Sequence, residues 1–196
     1  MPGQIKSTVP VFFPQTYSHF LWITFREHFI ADEPPGKIEA GTFIYENVAG
    51  MAAAVDYLAH LGCMLAGQGG PPDARSLRDA IRTAMEGIQR YEQALSRQLL
   101  RLLRDLDATI YGVHEDQRLA ERVPTVCFNM PGVSPAEVTE AAAEADIGIR
   151  DGHMYSPRLM RRLGLDVASG AVRVSLVHYN TPAELRRLEE LLWKLR

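Results

Sequence analysis

Apolar residues recur along this chain at intervals that predict helices broken by short strands. Val48, Met51, Ala52, Val55, Leu58 and Ala59 fall on one side of a helix that opens near residue 46. It is expected to stop at Gly62, since a glycine readily takes the left-handed conformation of a helix cap. Beyond GQGGPPD at 67–73, Leu77, Ile81, Met85, Ile88, Tyr91, Leu95, Leu99, Leu102 and Leu106 recur every three or four residues. That spacing predicts a long amphipathic helix over 74–105 with the stripe as core. Arg90, Arg97, Arg101 and Arg104 lie off the stripe, interleaved with Glu86, Glu92 and Asp105, which reads as a solvated face rather than an anion site.

Two later helices announce their starts. SPAE at 134–137 and TPAE at 181–184 each set a hydroxyl at the N-cap, proline at N1 and glutamate at N3, so cap and glutamate can satisfy each other's free N–H groups. Helices are expected at 135–145 and 182–195, and a short one after Pro157. TVCFNM, DIGIR and AVRVSLVHY are rich in β-branched residues and predict three strands, with ATIYGV at 108–113 a candidate fourth. The order suits an α+β fold in which helices cover one face of a small, mostly antiparallel sheet, although the alternation also permits a parallel arrangement. Residues 1–36 read as an irregular segment: they hold Pro2, Pro10, Pro14, Pro34 and Pro35, and their one helix-like stretch, 17–30, has no clear polar face.

Composition narrows the function classes. With 196 residues, 46% apolar, the chain can bury one substantial core. A net charge of -3 gives no general reason to bind nucleic acid or an anionic membrane, so neither is expected as a partner. Cys63 and Cys127, the only cysteines, point to a reducing compartment, with the cytoplasm as the expected location. Neither a signal peptide nor a membrane span is expected. The six histidines are scattered and no metal is expected; His153 stands in a loop without a ligand partner at metal spacing. Cys127 reads as a small buried residue on a strand.

Arg173 is the hardest residue to explain as structure. On the strand 171–177, Val172, Val174 and Leu176 share one face while Arg173, Ser175 and Val177 share the other. A guanidinium placed mid-strand wants a planar anion. An internal ion pair with Asp151 or Glu144 and a bound substrate carboxylate both answer to that need.

EAGTFIYENVAGMAAAVDYLAHLG at 39–62 and VRVSLVHYNTPAELRRLEELL at 172–192 together resemble the carboxyl-terminal part of class V pyridoxal-phosphate enzymes, nearest the cysteine-desulfurase-like branch. The resemblance covers about 37–196 and implies the small C-terminal α+β domain of a fold type I enzyme. It implies that Arg173, just ahead of Tyr179-Asn180-Thr181, binds the carboxylate of an amino-acid substrate. It also implies that Gly41 and Thr42 of EAGT lie near a dimer interface and contact the phosphate of pyridoxal phosphate. The domains expected are an irregular 1–36, a remnant of the cofactor-domain edge at 37–66, and the small domain at 67–196.

The departures from the family pattern matter equally. Such an enzyme needs a lysine to hold the cofactor and move the substrate's α-proton. This chain has Lys6, Lys37 and Lys194, and none follows a histidine as the family lysine does. Where a desulfurase places its sulfur-accepting cysteine, DGHMYSPRLM offers Met154 or Tyr155. No catalytic residue is therefore assigned. The expectation is a C-terminal portion inactive alone, acting as a homodimer or with a partner that carries a cofactor domain. A non-catalytic interaction module and a truncated gene model are the alternatives.

Overall fold

A computed structural model describes residues 44–196 apart from 71, 74 and 75. The chain divides into two compact units, one ending at Ala53 and one running from Ala54 to Arg196. In chain order the described elements are α1 (Tyr45–Leu65), α2 (Leu77–Asp105), β1 (Thr109–Tyr111), a 3-10 turn at Asp116–Glu121, β2 (Thr125–Asn129), α3 (Pro135–Glu144), α4 (Pro157–Arg162), β3 (Val172–Ser175) and α5 (Pro182–Leu195).

The fold is mixed, with helices on a small antiparallel sheet of order β1-β2-β3. Pairing sets Ile110 against Phe128 and Val126 against Val174. Alternation along the strands then sends Val126, Phe128, Val172 and Val174 to one face. There they are buried with Leu95, Leu99, Leu102, Leu103 and Leu106, Val138 of α3, and Leu185, Leu188 and Leu192 of α5. The opposite face, carrying Thr125, Cys127, Asn129 and Arg173, is only half-buried.

Both capping boxes form. Ser134 Oγ accepts from the Glu137 N–H at 3.2 Å while Glu137 Oε2 accepts from the Ser134 N–H at 2.8 Å. Thr181 Oγ1 accepts from the Glu184 N–H at 3.3 Å, and Glu184 Oε2 accepts from the Thr181 N–H at 2.6 Å. These bonds favour the ionised carboxylates and hold both glutamates below their ordinary range.

Several elements depart from the sequence reading. Helix α1 does not stop at Gly62. It runs to Leu65, and Gly67, at φ 69°, caps it, with the Gln68 N–H bonding the Cys63 carbonyl at 2.9 Å. Gly62 serves a different need, because a Cβ there would run into the backbone carbonyl of Ala80 on α2. The long helix starts at Leu77, since Asp73 turns the chain just before it: its Oδ1 accepts from the Ser76 N–H at 2.8 Å. Within α2 the predicted stripe is buried at Ile88 and through its C-terminal half, whereas Met85 and Tyr91 are exposed and Ala80 and Ala84, outside the stripe, are buried. DIGIR is not a strand: Asp146 takes a left-handed turn at φ 56°, and only Arg150 bridges to β3. Ile147 and Ile149 nevertheless pack on the core.

On α1 the predicted apolar stripe is largely bare: Met51 is 69% exposed, and Val48 and Val55 are also exposed. Only Ala59, Gly62 and Cys63 are buried. By length and composition alone this helix could cross a membrane.

Candidate substrate-carboxylate site

Strand pairing assembles a row across the open face of the sheet. Tyr111 stands opposite Cys127, Cys127 opposite Arg173, and Arg173 opposite Arg150. The last pair exchanges both backbone bonds, Arg150 N–H to Arg173 O at 3.2 Å and Arg173 N–H to Arg150 O at 2.6 Å. Residues directly opposite in an antiparallel pair project to the same face, so two guanidinium groups leave the sheet side by side. The sequence reading missed Arg150, because nothing in local spacing reveals which residue will lie across a bridge.

Arg173 is half-buried, and its Nε is buried without a hydrogen-bond partner. Neither acid offered for an internal ion pair is paired with it: Asp151 accepts from Thr139 Oγ1 at 3.0 Å, and Glu144 makes no ion pair among the described residues. Asn129 is in a similar state. Its Nδ2 donates to the Gly170 carbonyl at 3.2 Å, while its Oδ1 is buried and unpartnered. A buried polar atom left unsatisfied costs about 1–3 kcal/mol, so these atoms are candidates for contact with a ligand.

Arg122 makes a useful contrast. Its Nη1 donates to the Val113 carbonyl at 2.6 Å and its Nη2 to the Thr125 carbonyl at 2.7 Å, which ties the entry of β2 to the loop after β1. That arginine is structural. Between it and Arg173 lies the Cys127 thiol, pushed above its ordinary pKa by burial, with Arg173 and then Arg122 pulling the other way. Burial also raises the Tyr111 phenol, opposed by a hydrogen bond with Asn129.

The loop after Arg150 is tightly shaped. Gly152 bridges Gly170, whose Cβ, were there one, would strike the Gly152 carbonyl. Met154 and Tyr155 both hold positive φ, 48° and 60°, and the His153 Nδ1 accepts from the Tyr155 N–H at 3.1 Å. Tyr155 stands 87% exposed. A thiol is absent from this loop, and Cys127 lies on the sheet instead.

Gly41 and Thr42 lie outside the described residues. Among the described residues Lys194 is the one lysine, and it is exposed near the end of α5. No described lysine accompanies the Arg150–Arg173 row, so the described residues do not by themselves build a place for pyridoxal phosphate.

The family model for aminotransferase class-V matches residues 66–188. An aminotransferase-like protein of Gibberella zeae is 42% identical over 106 residues, 53% of this chain and 26% of that protein. A probable cysteine desulfurase of Synechocystis is 32% identical over 162 residues, 82% of this chain and 32% of the relative. Among solved structures, the apo cysteine desulfurase from Thermococcus onnurineus NA1 superposes with a TM-score of 0.63 at 26% identity, over 83% of this chain and 34% of that one. The chain thus spans about a third or less of the length of these relatives. Cysteine desulfurases and class V aminotransferases are pyridoxal-phosphate enzymes that act on amino acids. With its family model covering well over half of its length, this chain belongs to the class V aminotransferase family.

Proposed function

We propose that residues 67–196 form the small C-terminal domain of a desulfurase-like class V enzyme, and that its contribution to catalysis is to hold the substrate by its carboxylate. The observation that carries this reading is Arg173: a mid-strand guanidinium on an open sheet face, with an unpartnered buried Nε and no acid paired to it among the described residues. Its rigid fork of donors matches a carboxylate, and Arg150 beside it adds a second positive charge. Gripping the carboxylate fixes the α-carbon and distinguishes an amino acid from a simple amine.

The cofactor chemistry of the family would come from elsewhere, from a partner chain that carries a cofactor domain, with Gly41 and Thr42 approaching its phosphate; a homodimer of this chain would supply contact surface only. Pyridoxal phosphate supplies an electron sink for charge developing at the α-carbon. The chain alone is inactive in this reading, and the cytoplasm is its location. Tyr155 in place of a thiol argues against sulfur transfer by a loop persulfide, which favours transamination over desulfuration for an assembled enzyme.

The bare stripe of α1 supports the interaction part of this reading, since exposed apolar faces of this kind mark contact surfaces. The test is an absorbance titration of the purified chain with pyridoxal phosphate. The reading expects no more absorbance at about 410–430 nm, where such lysine adducts absorb, than an unfolded control of equal lysine content shows. A stoichiometric band lost on changing Lys6, Lys37 or Lys194 would overturn it and make that lysine catalytic.

A further inference from the structure

The chain leaves the sheet at Gly152 and returns at Gly170, where the Ala171 N–H bonds the Gly152 carbonyl at 3.1 Å and closes a narrow neck. The excursion between carries α4, fastened to the body by Met160, which is 4% exposed. At about 100° per residue, the rest of the helix circumference presents Arg161, Arg158 and Arg162 in succession, followed by Leu159 and then Leu163 at the C-cap. All three arginines are exposed, Leu159 is 49% and Leu163 41% exposed, and Tyr155 stands just ahead of the helix. One half of the outward face is basic and the other apolar.

Among the described residues the basic half has no acidic partner. None of Arg158, Arg161 and Arg162 has an ion pair or a side-chain hydrogen bond among the described residues. Within the excursion, residues 151–172 hold three arginines (158, 161, 162) and two aspartates, a net of +1 in a chain of net -3. Both aspartates are engaged within the fold: Asp151 accepts from Thr139, and Asp166 Oδ2 accepts from the Ser169 N–H at 2.9 Å. Arg104 and Arg118 pair with Asp116 and Glu121, whereas Arg90, Arg97, Arg101 and Arg186, like the arginines of α4, have no ion pair among the described residues; what distinguishes α4 is three such arginines beside exposed apolar side chains on one short helix.

We propose that α4 is a docking surface for an acidic segment of a partner protein that also brings apolar side chains. Charge complementarity selects the acid: three adjacent unpaired guanidiniums steer and orient carboxylates. Leu159, Leu163 and Tyr155 select against a plain polyanion, because they offer apolar area that nucleic acid would leave uncovered. The neck sets this surface apart in the fold, and the inference stands independently of the carboxylate site, since neither Arg150 nor Arg173 is required.

The experiment is fluorescence anisotropy on the full 196-residue chain. The probes are a labelled peptide alternating glutamate with leucine and phenylalanine, a poly-glutamate peptide of equal length, and a labelled single-stranded oligonucleotide. The mixed peptide should bind best, with poly-glutamate at least about tenfold weaker for want of apolar contacts. The triple variant Arg158→Glu, Arg161→Glu, Arg162→Glu should weaken the mixed peptide by at least about tenfold, and Leu159→Ser by about fivefold. Arg186→Glu, an exposed charge on α5, should leave binding unchanged, and thermal melts should show every variant folded. Failure of the wild-type chain to bind the mixed peptide overturns the proposal. Equal binding by the charge-reversed variant, or equal or tighter binding of poly-glutamate or the oligonucleotide, overturns it as well.

Discussion

Replacing Arg173 by methionine should leave the fold about as stable as it is, although the residue sits half-buried in the middle of a strand. The guanidinium has no acid partner among the described residues, and its Nε has no acceptor, so substitution removes an unsatisfied group rather than a bond. Methionine keeps the apolar stem's packing, and the expected change is within about 1 kcal/mol of zero. The matched experiment is Arg122→Met. That change deletes charge-assisted bonds to the Val113 and Thr125 carbonyls and should cost about 2–3 kcal/mol. For a domain of this size 1 kcal/mol moves the melting temperature by about 2–4 °C, so the two variants should separate clearly by thermal denaturation followed by circular dichroism. The reasoning is refuted if Arg173→Met loses as much stability as Arg122→Met. Arg173 would then be serving the fold, since breaking a buried ion pair costs about 3–5 kcal/mol.

Three further outcomes follow from other parts of the molecule. Gly62→Ala should destabilise by about 1–3 kcal/mol, because the new methyl meets the Ala80 backbone, whereas Gly50→Ala on the same helix should stabilise by up to about 1 kcal/mol; urea unfolding of both variants decides it. Iodoacetamide should alkylate Cys127 more slowly than a free thiol at neutral pH, accelerating as pH rises, and Arg173→Met should move that profile further upward by removing a positive neighbour. Glu137 and Glu184 have depressed folded pKa values, so their stabilising effect is present above the ordinary carboxylate range and lost as pH falls through the folded values. A Glu137→Gln, Glu184→Gln double variant should therefore show a shallower loss of stability on acidification, and an unchanged slope would count against the capping role.

Local chemistry was legible in the sequence; contacts between distant segments were not. SPAE and TPAE state their helix starts outright, because cap, proline and glutamate act within four residues. The β-branched runs around Val126 and Val174 mark strands for the same reason. Gly62 illustrates the limit: a glycine near a helix end can be a cap or a place where another backbone comes close, and only the position of Ala80 tells which. DIGIR carries strand-forming residues, yet the left-handed Asp146 leaves its chain out of the ladder. At the site, Arg173's face followed from alternation, while Arg150 became its neighbour only through pairing across 23 residues of chain. Met85 and Tyr91 fit the helical stripe of α2 but remain exposed, because periodicity defines a face without saying what covers each turn.

The most direct test of the carboxylate reading is to follow the Nε–H resonance of Arg173 by NMR while titrating acetate, with ethylamine, a cation at neutral pH that carries no carboxylate, as the control. The account predicts a saturable shift at Arg173 on adding acetate, none on adding ethylamine, and little change at Arg122, whose donors are already committed to carbonyls. An unmoved Arg173 resonance, or equal shifts at Arg173 and Arg122, would contradict the assignment of this face as the seat of a substrate carboxylate.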